Sequence, residues 1–188
     1  MIGAMRTALL IALALAACAR GRDGGTNKDV DASVPEPPPP DAGCGELPCQ
    51  AIYVAPTGTD TAAGTRDAPL RTISAGVAAA DAAHVGAVIA QAGSYAEQVQ
   101  MRAGVVVYGG VDARWARAAG AITEIVADSP TVMFRDLPTT TGLDHVTVKT
   151  TDASGAGASA VAVLAVRSPK VELRAVVLAP GAGAPGAT

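Results

Sequence analysis

The chain has 188 residues, of which 49% are hydrophobic and only 3% are aromatic, and its formal net charge is −3. This length allows one modest domain with appendages, and the composition predicts a core of Val, Ile, Leu and Ala rather than of rings. The acidic balance and the scarcity of aromatics exclude the basic, aromatic face with which proteins bind nucleic acid.

Residues 1–17 have the pattern of an export signal. Arg6 precedes an apolar run from Ala8 to Leu15, which is much shorter than the roughly 20 residues that span a bilayer. The run ends in Leu15-Ala16-Ala17-Cys18, which resembles the lipobox of bacterial lipoproteins. The resemblance implies a diacylglyceryl group on Cys18, cleavage before it, and N-acylation with a fatty acid such as palmitate. Ordinary secretion with cleavage after Ala17 is the alternative.

Residues 18–50 are interpreted as a lipidated cysteine followed by a disordered tether. The segment has no hydrophobic periodicity and contains the run Pro37–Pro40, so it buries too little apolar surface to fold and favours an extended polyproline II spacer. Ala19 follows Cys18, where an aspartate would suggest retention in the inner membrane. We therefore expect an exported protein that is lipid-anchored in the outer membrane or at the cell surface.

Two further cysteines, Cys44 and Cys49, lie in the stretch CGELPC. An exported compartment permits a disulfide between them, and we predict that bridge. Two thiols with no histidine nearby make a poor metal site, so no metal and no cofactor are predicted.

From residue 51 the chain changes character. A strand begins at Ile52, a polar stretch covers Gly58–Asp67, and a helix is predicted from Thr72 to about Ala83. Thr72 is the expected N-cap. Ile73, Val77 and Ala80 recur at helical spacing. Short β-branched strands follow, separated by small turn residues.

The order of these residues carries a resemblance. The opening matches a YV-G-D-GT-P-TI pattern at Tyr53, Val54, Gly58, Asp60, Gly64, Thr65, Pro69, Thr72 and Ile73, and continues at Gly93, Tyr95, Gly109, Gly110 and Trp115. This resembles the bacterial group of right-handed parallel β-helix proteins in the pectin-lyase-like superfamily. The resemblance implies an all-β domain over residues 51–188, a short right-handed solenoid with an N-terminal capping α-helix.

Physical reasoning supports a cap, because the first coil of a solenoid exposes a row of backbone donors and acceptors that invites aggregation. From Gly104 onward there is room for three or four coils of twenty-odd residues. A small β-sandwich is the alternative fold, since short strands with turn signals fit it too.

The end of the sequence offers no second cap. After the strand Val171 to Leu178, residues 180–188 are only Gly, Ala, Pro and Thr. Two expectations follow: a truncated gene product, or an open last coil that pairs with another protein or with itself. The alternative to both is a flexible terminus over a short, tolerated strand edge.

The carboxylates and histidines are the candidate catalytic residues of this sequence. Asp144-His145 resembles the Asp-His pair before a strand in pectate lyases, which also need gathered carboxylates and a basic residue. Asp112 and Asp136 are as far apart in the sequence as Asp128 and Asp152 are. This separation equals the length of one predicted coil. If stacked, each pair would make at best a loose calcium site; solvated turn residues are the alternative. Arg135 beside Asp136 is expected to form a surface pair.

These residues predict no catalytic constellation. The only histidines, His84 and His145, lie near no recognisable nucleophile motif. We therefore expect a surface-anchored lipoprotein that presents a β-helix as a non-enzymatic binding or structural module, with a carbohydrate or protein as its ligand. A polysaccharide lyase or glycoside hydrolase on the same fold is the alternative.

Overall fold

The computed structural model describes residues 45–186, in which short strands dominate over one helix. The strands are β1 Ile52–Val54, β2 Ala87–Gln91, β3 Gly93–Ala96, β4 Val99–Gln100, β5 Val106–Val111, β6 Thr123–Ala127, β7 Val132–Arg135, β8 Thr141–Asp144, β9 Val146–Thr150, β10 Val163–Val166, β11 Val171–Arg174 and β12 Val177–Ala179, and the helix is α1 Ile73–Ala82. Across residues 45–186, no helix is both long and apolar enough to cross a membrane.

The strands form three sheets with a cyclic order. The first sheet runs β1-β2-β5-β8-β11, the second β3-β6-β9-β12, and the third β4-β7-β10. From β2 onward, successive strands lie in the first, second and third sheet in turn, and this cycle repeats. Every pair of named strands is parallel. A small β-sandwich has antiparallel sheets, so the pairing does not match that alternative.

The spacing between paired residues differs from the expected coil length. Val132 on β7 pairs with Val163 on β10, and Thr147 on β9 pairs with Val177 on β12. Both separations along the chain exceed the predicted twenty-odd residues per coil, so that prediction is wrong for these turns of the chain. The reason is that the connections vary in length; residues 151–162 alone separate β9 from β10.

Apolar side chains line up in columns between the three sheets. Three columns of register partners are Val88–Val107–Leu143, Tyr95–Ile125–Val148 and Val99–Val132–Val163. All of these residues except Val163 are buried, and Phe134 is buried among them. Burial of aliphatic surface is therefore the main stabilising term of this core, as the composition predicts.

The helix α1 packs against β1 and β2. Ile73, Val77 and Ala80 are buried, which confirms the predicted stripe. Gly76 lies on the same face, and a Cβ there would stand 2.5 Å from Val54 Cγ2, so the close approach of the helix to β1 requires glycine. The helix buries the side that its sequence periodicity predicts.

Three side chains satisfy the N-terminus of α1. Thr72 Oγ1 accepts a hydrogen bond from Ala75 N at 3.1 Å, which confirms the predicted N-cap. Asp60 Oδ1 accepts from Arg71 N and Thr72 N, each at 2.9 Å. Glu97 accepts from the next two N–H groups of the first turn. Carboxylates suit this end because the first N–H groups of a helix lack internal partners and carry partial positive charge.

A second apolar cluster covers part of the outer face of the first sheet. It contains the buried side chains of Leu47, Tyr53, Ile89 and Val111. Trp115 packs edge-on against Tyr53, with the ring centroids 4.9 Å apart. Leu47 belongs to the segment 18–50 that the sequence assigns to the tether, so packing begins before residue 51.

Candidate functional site

On the outer face of the first sheet, polar side chains form a row across the strands β5, β8 and β11. In register across the first sheet, Tyr108 on β5 neighbours Asp144 on β8, and Asp144 neighbours Arg174 on β11. The side chains share a face because Val107 and Leu143, one residue before each, occupy the core, and successive residues of a strand alternate between faces. The register thus brings a phenol, a carboxylate and a guanidinium together.

Asp144 is the centre of the row. Its Oδ1 accepts a hydrogen bond from Arg117 Nη2. The same oxygen is hydrogen-bonded to His145 Nδ1, at 2.6 Å. The Asp144 side chain is 12% exposed, that of Arg117 18%, and that of His145 52%. A carboxylate this buried needs ionic or hydrogen-bonding partners, and Arg117 and His145 provide them.

Arg117 reaches Asp144 from the connection between β5 and β6. Asp112 builds the turn at the start of this connection, because its Oδ1 accepts from Arg114 N at 2.8 Å and from Ala116 N at 3.1 Å. The second terminal nitrogen of Arg117 donates to Gly109 O. The guanidinium is therefore held at two points, on β5 and on β8.

His145 projects outward because it forms the single-residue corner between β8 and β9. Its backbone φ is 53°, in the left-handed region that residues other than glycine seldom adopt. Ala175, at the equivalent corner after β11, has φ 48°. The shared conformation shows that the path of the chain imposes it. The consequence for the site is a half-exposed imidazole fixed beside Asp144.

Two surface cavities flank the cluster. The larger, of about 440 Å³, has Arg117 and His145 in its wall, together with Glu46, Thr123 and Thr147. The smaller, of about 210 Å³, has Tyr108, Asp144, Glu172 and Arg174 in its wall. The Arg117–Asp144–His145 cluster, which we call the Asp144 site, therefore contributes side chains to both cavities.

The phenol of Tyr108 is a hydrogen-bonding group in the smaller cavity. Burial, and after it the negative charge of Asp144, raise the pKa of Tyr108 above its ordinary value, against the opposing effect of Arg174 and Arg117. The hydroxyl therefore stays protonated at neutral pH. Glu172 is ion-paired with Arg174 in this wall, and Asp144 is ion-paired with Arg117 of the larger cavity, so both carboxylates are compensated.

The aspartates whose sequence separation would allow stacking, Asp112/Asp136 and Asp128/Asp152, are instead engaged with other partners. Asp136 is bound by Arg167, with Oδ2 2.8 Å from Nη2, and not by Arg135 as expected. Arg167 lowers the pKa of Asp136 through this hydrogen bond. Both residues lie at corners with positive φ, one turn of the chain apart, and this superposition explains their pairing.

The other two aspartates of the proposed pairs also have separate roles. Asp128 Oδ1 accepts from Thr151 Oγ1 at 2.6 Å, and Asp152 Oδ1 accepts from Ala182 N at 2.7 Å. The turns of the chain differ in length and bring other residues opposite these aspartates, so the sequence separation alone does not pair them. In residues 45–186, no three His, Cys, Asp or Glu side chains gather closely enough to hold a metal ion.

The predicted cysteine sites are only partly within the described chain. Cys49 is disulfide-bonded, and Cys44, the partner that the sequence predicts, lies outside residues 45–186. Cys18, the predicted lipidation site, lies outside them as well. The pairing with Cys44 and the lipid anchor therefore stay predictions.

Sequence reasoning identified Asp144-His145 but missed Arg117, Tyr108 and Arg174. The adjacent pair is visible locally, whereas the other three reach it through strand register or a connecting loop. Gly109-Gly110 after Tyr108 resembles a turn in the sequence, but β5 continues through both glycines to Val111, so the local pattern does not reveal which face Tyr108 occupies. No protein-family model, curated protein or solved structure matches the chain.

Proposed function

We propose that this chain is an exported lipoprotein, anchored through Cys18, that displays a short right-handed parallel β-helix capped by α1 and binds a neutral glycan at the Asp144 site without cleaving it. The lipobox-like sequence Leu15-Ala16-Ala17-Cys18 supports export and lipid anchoring. The proline-rich segment after it supports a spacer between membrane and domain.

The strand order supports the solenoid. Three parallel sheets that receive successive strands in a repeating cycle are what a chain coiling around one axis produces. α1 covers the start of this stack, since it packs on β1 and β2. The resemblance to pectin-lyase-like β-helices supports the same fold, and right-handed crossovers are the rule for parallel strands.

The observation that carries the binding proposal is the shared oxygen Asp144 Oδ1, held by Arg117 and His145 beside two cavities. Proteins orient a small ligand with a few precisely placed polar groups in the wall of a concave site. The arginines of both walls are matched by Asp144 and Glu172. A charge-compensated site of donors and acceptors suits hydroxyl groups better than a strongly charged ligand.

One observation favours the enzymatic alternative, a polysaccharide lyase or glycoside hydrolase. Asp144 and Glu172 share the wall of the smaller cavity, and glycosidases use two carboxyl groups across the scissile bond. Each of these carboxylates is already engaged by a guanidinium, Arg117 or Arg174. A glycosidase needs one of its two carboxyl groups as a proton donor, whereas both carboxylates here are paired with a cation, so we favour binding over cleavage.

The test is retention of glycans by the immobilised protein, with and without calcium. We expect some neutral polysaccharides to be retained while no new reducing ends and no unsaturated products appear in solution. Product release in either condition would establish the enzymatic alternative. Failure to retain any neutral polysaccharide, including the case in which only charged glycans are retained, would contradict the binding proposal.

A further inference from the structure

The outer edge of β11 has no neighbouring strand among residues 45–186, since β11 is the last strand of the first sheet. Toward β8, Lys170 O accepts from Thr141 N at 3.1 Å and Arg174 O accepts from His145 N at 2.9 Å. Backbone groups of successive strand residues point to opposite sides, so those of Val171 and Leu173 point outward. Such an edge is a template for another strand.

Apolar side chains remain uncovered at the same edge. Leu173 is 41% exposed, whereas its register partner Leu143 on β8 is 1% exposed. On β12, Leu178 is also exposed although its partner Val148 is fully buried. The side chains that continue the core columns at this end therefore lack a covering layer in the described chain.

The charges on β11 select one way for two copies to meet. Antiparallel pairing of β11 with its copy about Leu173 places each Glu172 opposite the other copy's Arg174. Pairing about Glu172 would instead oppose Glu172 to its copy and Arg174 to Lys170. Pairing about Arg174 would oppose two guanidinium groups. Opposite charges across paired strands stabilise a sheet, and like charges destabilise it.

The backbone agrees with the same centre. The N–H and C=O groups of Leu173 point to the outer edge, so two copies of Leu173 can exchange two hydrogen bonds across a two-fold axis, as antiparallel partners do. In such an isologous contact each residue meets its complement in the other copy.

We infer that this chain forms a symmetric dimer in which β11 pairs antiparallel with β11 of a second copy, centred on Leu173. This inference does not depend on glycan binding. It assigns a register to the self-association that the sequence suggests, and it makes the first sheet continuous across the two copies.

The first experiment uses cross-linking of the full chain in mild detergent. Hydrogen-bonded antiparallel partners have Cα atoms about 5.5 Å apart, within the range that a disulfide spans. Leu173→Cys should give a covalent dimer on treatment with diamide, which takes up the two electrons and two protons of the thiols. Val177→Cys, a thiol on the exposed part of β12 away from the axis, is the control and should stay monomeric. Absence of cross-linking at Leu173, or equal cross-linking of both variants, would overturn the inference.

The second experiment exchanges charges and reads the dimer dissociation constant by sedimentation. Glu172→Arg and Arg174→Glu, each alone, should weaken the dimer at least tenfold because like charges then face each other. The double variant should recover affinity close to that of the wild type. Melting curves confirm that the single variants are folded. Unchanged affinity of the single variants, or a double variant weaker than both, would refute the register.

Discussion

Glu97 Oε1 accepts a hydrogen bond from Ile73 N at 2.7 Å, while Glu97 Oε2 accepts from Ser74 N at 2.9 Å, although the strands β2 and β3 separate Glu97 from the helix in the sequence. Glu97→Gln keeps one acceptor but turns an amide NH₂ toward the second N–H group. We expect it to lower the free energy of unfolding by about 1 kcal/mol, the usual cost of a lost helix cap, measured by urea denaturation. Asp81→Asn, an exposed acid near the other end of α1, is the control. Equal stability of both variants would show that Glu97 does not hold the helix.

Asp60 makes the cap dependent on pH. Slight desolvation of this exposed carboxylate raises its pKa, but hydrogen bonds from Thr72 and Arg71 outweigh that effect and leave the pKa below its ordinary value. A depressed carboxylate pKa stabilises the fold above the unfolded value of about 3.9, and this stabilisation is lost as the pH falls through the folded pKa.

The corresponding variant is Asp60→Asn. We expect it to be less stable than the wild type at pH 6, by about 1 kcal/mol, and to approach the wild type at pH 2. Thermal melts at both values measure the difference. A stability difference that stays constant from pH 6 to pH 2 would contradict a role for the ionised carboxylate.

Val77 tests whether α1 covers the core. It is 1% exposed, so Val77→Asp buries a charge without a partner and should lower stability by about 3 kcal/mol or more. Ala78→Asp, on the exposed side of the helix, should change it by less than about 0.5 kcal/mol. Indistinguishable melts of the two variants would mean that the helix covers nothing.

The helix and the site show how far the sequence predicts this structure. Thr72, Ile73, Val77 and Ala80 were predictable because a cap and a helical stripe are local patterns. Glu97 was not, because it contacts the helix only after β2 and β3 have formed and returned the chain to it. Likewise Asp144-His145 is adjacent in sequence, whereas Arg117 arrives through a loop. Strand register across turns of unequal length cannot be counted off from a fixed repeat.

The predicted lipid anchor is tested in cells by labelling with a radioactive fatty acid. Label should appear in the wild-type chain and disappear in Cys18→Ala, because the thiol of Cys18 is the expected acceptor of the diacylglyceryl group and its loss also prevents cleavage. Cys44→Ala is the matched control and should retain the label. Equal labelling of the wild type and Cys18→Ala would remove the lipoprotein proposal.

The central claim, that the Asp144 site binds a glycan, is tested most directly by calorimetric titration of two histidine variants with a glycan that the wild type retains. His145 and His84 both have positive φ, 53° and 54°, so replacement by alanine perturbs the backbone alike, but only His145 contacts Asp144. We expect His145→Ala to weaken binding at least tenfold, about 1.4 kcal/mol, and His84→Ala to leave it unchanged. Equal affinity of the two variants would contradict the claim.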